Sequence, residues 1–186
     1  MSDKLIALVR KRFGDRMLGS HSVVGDATVI FGAGDLIEVM TFLRDDPKCA
    51  MEQLIDVTAV DLSRYPLEHL AALSPRDGEL DGSRYEVVYH LLSLSKAHRL
   101  RVKVPVSADK ASVPSLCELW IAANWGEREA WDMFGVAFEG HPDLRRILLY
   151  EEFDGHPLRK DYHQRDYQPL IDMPHLDHYT DHSTLR

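Results

Sequence analysis

Cysteine is nearly missing from this chain: its 186 residues hold two, Cys49 and Cys117, far apart in sequence. A four-cysteine iron–sulfur cluster or a zinc ribbon cannot be assembled from this chain alone, and two distant thiols suit a reducing compartment. No run approaches the ~20 apolar residues that a membrane-spanning helix needs. The opening MSDKLIALVRKRFGDR has its apolar residues interrupted by Arg10, Lys11 and Arg12 and shows no small-residue cleavage pattern. It is therefore not expected to be a signal peptide, and the expected address is cytoplasmic. Positive charge is in the minority, with 22 Lys and Arg against 30 Asp and Glu and a formal net charge of -8. That argues against nucleic acid as a partner, because phosphate binding needs a concentrated positive surface. A Walker-type GK[ST] loop is missing too. The turn FGAGDL at 31–36 lacks the third glycine of a dinucleotide-binding turn, with Ile37 in its place. A tight turn accounts for its glycines more simply.

What is present is an ordinary globular composition, 45% hydrophobic and 28% charged. It is enough for one domain, or one domain plus an arm. Residues 3–13 read as an amphipathic helix with Leu5, Leu8, Val9 and Phe13 on one face. Residues 28–31 are a short strand. Asp35 and Glu38 have capping-box spacing and open a helix that buries Leu36, Val39, Met40 and Leu43 and ends at Asp45, Asp46 and Pro47. Residues 53–61, rich in β-branched side chains, are a buried strand, and 62–83 are loop with room for one helical turn. The clearest signal is a hairpin, 84–94 and 99–106 around the turn SKAH. In its second strand Leu100, Val102, Val104 and Val106 alternate with Arg99, Arg101 and Lys103, giving one dry face and one wet or partner-facing one. Pro105 predicts that pairing stops there or that the strand is an edge. Ser115 and Glu118 repeat the capping-box spacing, so a helix is expected over Leu116, Leu119, Trp120 and Ala123. Asn124 and Gly126 should interrupt it, residues 127–134 should resume it, and Gly135 should stop it. The expected class is α+β: a mainly antiparallel sheet with helices packed on it over 1–140, followed by an extended C-terminal arm and polar tail over 141–186.

Candidate chemistry is sparse. Of ten histidines, six follow residue 140. His175, His178 and His182 would share one helical face and could hold a metal, but a solvated polar tail fits the weak helix signal better. Glu127, Glu129 and Asp132 crowd about one turn of helix, where paired carboxylates can do acid–base work. Arg128 lies four residues before Asp132, so an intrahelical ion pair is the simpler account. No Ser or Cys has a neighbouring base that marks a nucleophile. Residues 120–162 hold all three tryptophans, Trp120, Trp125 and Trp131, together with Phe134, Phe138, Phe153, Arg145, Arg146, Arg159 and Lys160. Aromatics and Arg are the types enriched at interface hot spots. The plainer alternative is that the tryptophans fill this domain's own core. With two His-Pro corners, Gly155 and little core of its own, the segment is suited to lying on a partner.

These residues carry a resemblance. NWGEREAWDMFGVAFEGHPDLRRIL (124–148) followed by EEFDGHPLRKDY (151–162) closely resembles the signature of the C subunit, the "30 kDa" subunit, of respiratory complex I, the proton-pumping NADH:quinone oxidoreductase. DLIEVMTFLRDDP (35–47), LIDVTAVDL (54–62) and RYEVVYHLLSL running into HRLRVKV (84–104) match as well, so the resemblance spans roughly residues 1–170. It implies an α+β domain in the hydrophilic arm of the complex, set against the hydrogenase-like, quinone-site D subunit and close to the iron–sulfur subunits. It implies no catalytic residue, cofactor or metal in this chain, with FMN and iron–sulfur clusters in partner subunits. Membrane association would then be peripheral, on the cytoplasmic side of the bacterial inner membrane or the matrix side of a mitochondrion, and the chain's share of the work would be scaffolding. The family motif falls on Glu127, Arg128, Glu129, Asp132, Phe134, Gly135, His141, Arg145 and Arg146, and its second part on Gly155, His156, Pro157, Leu158, Arg159, Lys160, Asp161 and Tyr162. By this resemblance the second part runs over the D subunit, with Arg145, Arg146, Arg159 and Lys160 pairing carboxylates across the interface. The final His-rich stretch matches no part of the pattern. Two other readings stand beside this one: the equivalent subunit of a membrane-bound hydrogenase or a ferredoxin- or F420-linked relative, and a stand-alone enzyme working through Glu127, Glu129 and Asp132.

Overall fold

The computed structural model describes residues 2–65, 83–165 and 167–169. Its elements in chain order are α1 (Ser2–Phe13), β1 (Met17–His21), β2 (Thr28–Phe31), α2 (Leu36–Asp45), β3 (Gln53–Asp61), β4 (Ser83–Ser93), β5 (His98–Ser107), β6 (Ser112–Pro114), α3 (Ala123–Phe134) and β7 (Ala137–Glu139). β1 to β5 form one sheet in the order β1-β2-β5-β4-β3, and β6 and β7 form a second, two-stranded sheet. The larger sheet is antiparallel except where β2 runs parallel to β5.

The alternation seen in the sequence sets which face is dry. Tyr85, Val87, Tyr89 and Leu91 of β4 and Leu100, Val102, Val104 and Val106 of β5 turn to one side and are buried. The apolar stripes of α1 (Leu5, Val9, Phe13) and α2 (Leu36, Val39, Met40, Leu43) close over the same cluster. Phe13 sits edge-on to Phe31 and Phe42, at 5.5 and 5.4 Å between ring centroids.

Several local expectations give way to tertiary ones. β5 is an interior strand, not an edge. The N–H of Arg101 donates to Ala27 on the β2 side, and so by parity does the position of Pro105. β2 pairing ends at Lys103, so the N–H that Pro105 lacks falls where no partner strand remains. The expected wet face is not wet at Lys103, which is buried with its ammonium 2.8 Å from the Glu86 carboxylate. Asp35 makes no side-chain cap; it accepts from Arg16 Nε at 2.9 Å instead, and Glu38 accepts from the same guanidinium at 2.7 Å. The helix expected from residue 116 is a set of turns, and the second capping box does not form: the Ser115 N–H donates to the Glu139 carbonyl at 2.8 Å rather than to Glu118, and the Ser115 hydroxyl accepts from the Cys117 N–H at 3.2 Å while donating to Glu127. α3 starts at Ala123 and runs unbroken through Asn124 and Gly126. Gly126 serves packing: a Cβ there would lie 3.0 Å from Val57 Cβ and 3.1 Å from Val57 O, tighter than an ordinary contact, so α3 lies close against β3 at this glycine. Gly135 ends the helix as expected, in the left-handed region at φ 75°. Trp120 is buried and Trp131 half-buried, whereas Trp125 is 64% exposed.

Candidate functional site

The family-motif residues converge on α3 and on the irregular segment that follows β7. α3 buries two acids, Glu127 and Asp132, each wholly removed from solvent. A buried carboxylate is costly unless its lone pairs are filled, and the two are filled differently.

Asp132 binds the following segment. One of its oxygens accepts the successive backbone N–H groups of Ile147, Leu148 and Leu149, at 3.0, 2.9 and 3.0 Å. The other accepts from Arg146 Nη1 at 2.6 Å. Burial pushes this carboxyl up, but the bonds from Leu149, Arg146, Ile147 and Leu148 outweigh it and hold Asp132 below the ordinary carboxylate range. Arg146 also donates to the carbonyls of Phe153 (2.7 Å) and Gly155 (3.1 Å), and lies over the Trp131 and Phe153 rings at 5.8 and 5.7 Å. Arg128 does not pair with Asp132 within the helix. It reaches across to the carbonyls of Arg145 (3.1 Å) and Arg146 (3.0 Å), because Asp132 is already held by a nearer guanidinium and three amides.

The second part of the motif caps the helix. The last carbonyls of any α-helix lack intrahelical donors. Here His156 Nδ1 meets the Asp132 carbonyl at 2.9 Å, the Leu158 N–H donates to Met133 at 3.0 Å, and Arg159 Nε donates to Phe134 at 2.6 Å. This crowds Gly135, where an added Cβ would stand 2.6 Å from the His156 ring and closer still to Arg159. The half-buried Pro157 lies between these contacts, and Gly155 turns the chain into them at φ 89°. Burial lowers the His156 pKa.

A second acid, unsuspected from sequence, holds the far end. Asp61 closes β3 at an inward register position, following Val57 and Ala59, and is buried. It accepts from Arg84 Nη2 and from the Lys160 N–H, each at 2.9 Å. Arg84 reaches on to Asp161 at 2.6 Å. Burial pushes Asp61 up, yet the bonds from Arg84, Lys160 and Ser63 hold it well below the carboxylate range. A charge in a strand's dry register was the available signal. Tyr162 completes the junction, stacked on Phe153 with 6.2 Å between centroids.

Glu127 has a different environment. It accepts from the Ser115 hydroxyl at 2.6 Å and the Leu116 N–H at 2.7 Å, and among the described residues no guanidinium or ammonium bonds to it. Burial raises its pKa against these bonds. Donor atoms of Cys117, Glu127 and His141 lie within 4.8 Å of one another. The nitrogens of His141 are engaged, Nε2 with the Asn124 carbonyl at 3.2 Å and Nδ1 as acceptor from the Asp143 N–H at 3.0 Å. Both Glu127 oxygens are engaged as well, so a cation would have to displace hydrogen bonds that are already made. Glu129 is exposed. The acids thus serve separate bonding sets and do not converge as a carboxylate pair. His175, His178 and His182 lie outside the described residues.

Of the cations expected to face a partner, Arg146 and Arg159 spend donors inside the chain. Arg145 is exposed and bonded to Asp143 at 2.7 and 2.8 Å, and Lys160 is exposed. Among the described residues no helix is long and apolar enough to cross a membrane.

Comparison with known proteins agrees with the motif. Residues 29–168 match the family described as respiratory-chain NADH dehydrogenase, 30 Kd subunit. The chain is 44% identical over 161 residues to the C subunit of the NADH-quinone oxidoreductase of Burkholderia multivorans, covering 86% of this chain and 76% of that one. It is 46% identical over 151 residues to the C subunit of the Caulobacter vibrioides enzyme, covering 81% and 68%. Among solved structures it is similar to the trypsin-resistant fragment (1-134) of Nqo5, with a TM-score of 0.60 and 28% identity over 76% of this chain and 98% of that one. A chain of the membrane-bound sulfane sulfur reductase, an archaeal respiratory membrane complex, shares the fold with a TM-score of 0.61 at 20% identity, over 88% of this chain and 86% of that one.

Proposed function

The chain belongs to the 30 kDa subunit family of respiratory-chain NADH dehydrogenases, and from that membership we propose that it works as the C subunit of an NADH:quinone oxidoreductase, as a structural part that catalyses nothing on its own. In this reading it carries no flavin, cluster or metal. It lies in the hydrophilic arm on the cytoplasmic face of the membrane (the matrix face in an organelle), attached through other subunits. Its contacts are with the hydrogenase-like, quinone-site D subunit and the iron–sulfur subunits. Electron transfer falls steeply with distance, so a chain that only fixes the spacing of redox subunits is still needed for turnover.

One observation supports this reading above the rest. Of the three acids on α3, Glu127 and Asp132 are buried and consumed by hydrogen bonds that shape the chain itself, and Glu129 lies apart from them on the surface. The test is purification of the tagged chain from detergent-solubilised native membranes, with mass spectrometry of what accompanies it and an assay of the eluate. Recovery of flavin and iron–sulfur subunits with inhibitor-sensitive NADH:quinone activity is expected. Recovery of a nickel hydrogenase, or of the chain alone from the soluble fraction, would overturn the assignment.

A further inference from the structure

α3 and the turns that lead into it show one stripe to water. Glu118, Ile121, Ala122, Trp125 and Glu129 follow one another at the three- and four-residue spacing of a single helical face, and all five are exposed. The middle of the stripe is apolar: Ile121 is 91% and Trp125 64% exposed. Trp120 and Trp131 pack with the core cluster, whereas Trp125 and Ile121 take no part in it. Beside Ile121 a groove of about 420 Å³ opens between Ala122 and the buried Trp120 on one side and Leu54 and Ile55 of β3 on the other. An exposed Trp next to an exposed Ile, on a helix packed tightly against its sheet at Gly126, has the composition of an interface hot spot. The two ends of the stripe are acidic. Among the described residues neither Glu118 nor Glu129 is in an ion pair. The guanidinium groups that reach this stretch are committed elsewhere, Arg44 to Asp45 and the Leu119 carbonyl, Arg128 to the carbonyls of Arg145 and Arg146.

We propose that this stripe is where the chain receives the D subunit: Trp125 and Ile121 enter an apolar recess of that subunit, and Lys or Arg on either side of the recess meets Glu118 and Glu129. Charge opposes the occupants nearer to hand. A second copy would set the same acids against each other, on chains of net charge -8. Residues 170–186 of this chain carry three Asp against one Arg, so they too would bring like charge to the stripe. A cationic surface on another subunit removes the conflict. Position favours the D subunit over the iron–sulfur subunits. The second part of the motif, which the family likeness lays over D, is fastened to the far end of α3. A helix of 12 residues puts that end about 18 Å away. An interface of ordinary size, about 800 Å² a side and so roughly 30 Å across, covers both ends. The proposal rests on the functional reading above and deepens it by naming the contact residues.

The test uses the assembled complex from native membranes and the full-length free chain. A benzophenone photo-crosslinker in place of Ile121 should give one adduct in the complex, with the D subunit, identified by mass spectrometry. An adduct with an iron–sulfur subunit, with a second copy or with residues 170–186 of this chain overturns the proposal, and so does recovery of the D subunit with no adduct. Trp125→Ala should leave the thermal midpoint of the free chain where it is and lower D-subunit recovery by about tenfold or more. A free chain unfolded by Trp125→Ala would assign that side chain to the fold and overturn its docking role. Glu118→Lys/Glu129→Lys should lower recovery by about threefold or more, and further than Glu118→Gln/Glu129→Gln does. Wild-type recovery with the charge-reversed chain overturns the cationic occupant. If the wild-type chain brings down no oxidoreductase subunit at all, the functional reading fails and takes the proposal with it, a result distinct from each of the others.

Discussion

The two halves of α3 each bury an acid, and they bury it in opposite ways. Near the start, Glu127 faces a hydroxyl, an amide and a thiol, and burial moves its pKa up. Near the end, Asp132 faces a guanidinium and three amides, and its pKa moves down in spite of burial. The first acid is met by neutral donors, a hydroxyl, an amide and a thiol, and burial disfavours its charged form. The second stays charged and uses that charge to gather chain from outside the helix. Burial alone therefore does not say what a buried carboxylate does; the donors that surround it do.

The sharpest way to break this contrast is Asp132→Ala. It strands the amides of Ile147, Leu148 and Leu149 and leaves Arg146 without its carboxylate, so a loss of about 3–5 kcal/mol is expected, read from urea unfolding midpoints. Gly135→Ala comes next: φ 75° is unfavourable for alanine and the methyl would strike His156 and Arg159, giving an expected loss of about 1–3 kcal/mol and a displaced junction. At the other half, Gly126→Ala forces α3 off Val57 and should cost about 1–2 kcal/mol while leaving the amides of 147–149 protected.

Glu127→Gln is the milder test, because the amide oxygen still accepts and no charge is buried. A change of less than about 1 kcal/mol is expected, with a sign that depends on pH. The raised folded-state pKa of Glu127 means that its contribution is complete below the ordinary glutamate value of about 4.3 and is lost as pH rises through the folded value. The depressed pKa of Asp132 works the other way: its contribution is complete above the ordinary aspartate value of about 3.9 and is lost as pH falls through the folded one. Unfolding midpoints between about pH 3 and pH 8 should then show Glu127→Gln flattening the upper limb and Asp132→Asn lessening the acid drop, to which the depressed Asp61 also contributes. The smallest expected effect is that of Arg145→Ala. Its pair with Asp143 is exposed, so the free chain should change by less than about 0.5 kcal/mol in thermal unfolding.

Much of the sheet could be read along the chain. The expected hairpin of 84–94 and 99–106 is found as β4 (Ser83–Ser93) and β5 (His98–Ser107), and the expected strand 53–61 is β3. In each case side chains two apart share a fate, so composition and period are local evidence of a buried face. The Gly135 stop was readable for a similar reason, since a left-handed residue at the end of a helix favours glycine whatever surrounds it. The start of α3 was not readable in this way. Ser115 and Glu118 have the spacing of a cap, but the Ser115 N–H that the box needs is taken by the Glu139 carbonyl and its hydroxyl donates to Glu127, both supplied from later parts of the chain. The parallel join of β2 to β5 lay beyond reach as well, since nothing local to Thr28–Phe31 says which distant strand will lie beside it.

The junction marks the same boundary. Sequence alone placed Arg, His-Pro and Asp residues in one long motif and set their likeness to a family, because side-chain identity and order are properties of the chain. It did not tell an interface arginine from an internal one: Arg145 and Arg146 are adjacent, yet one lies on the surface and the other reaches Asp132, Phe153 and Gly155. That difference comes from where the chain reverses after β7. The reversal brings a buried charge within about 3 Å of one guanidinium and leaves its neighbour in water, and the pull between charges depends on that distance and on the medium between them, not on separation along the sequence.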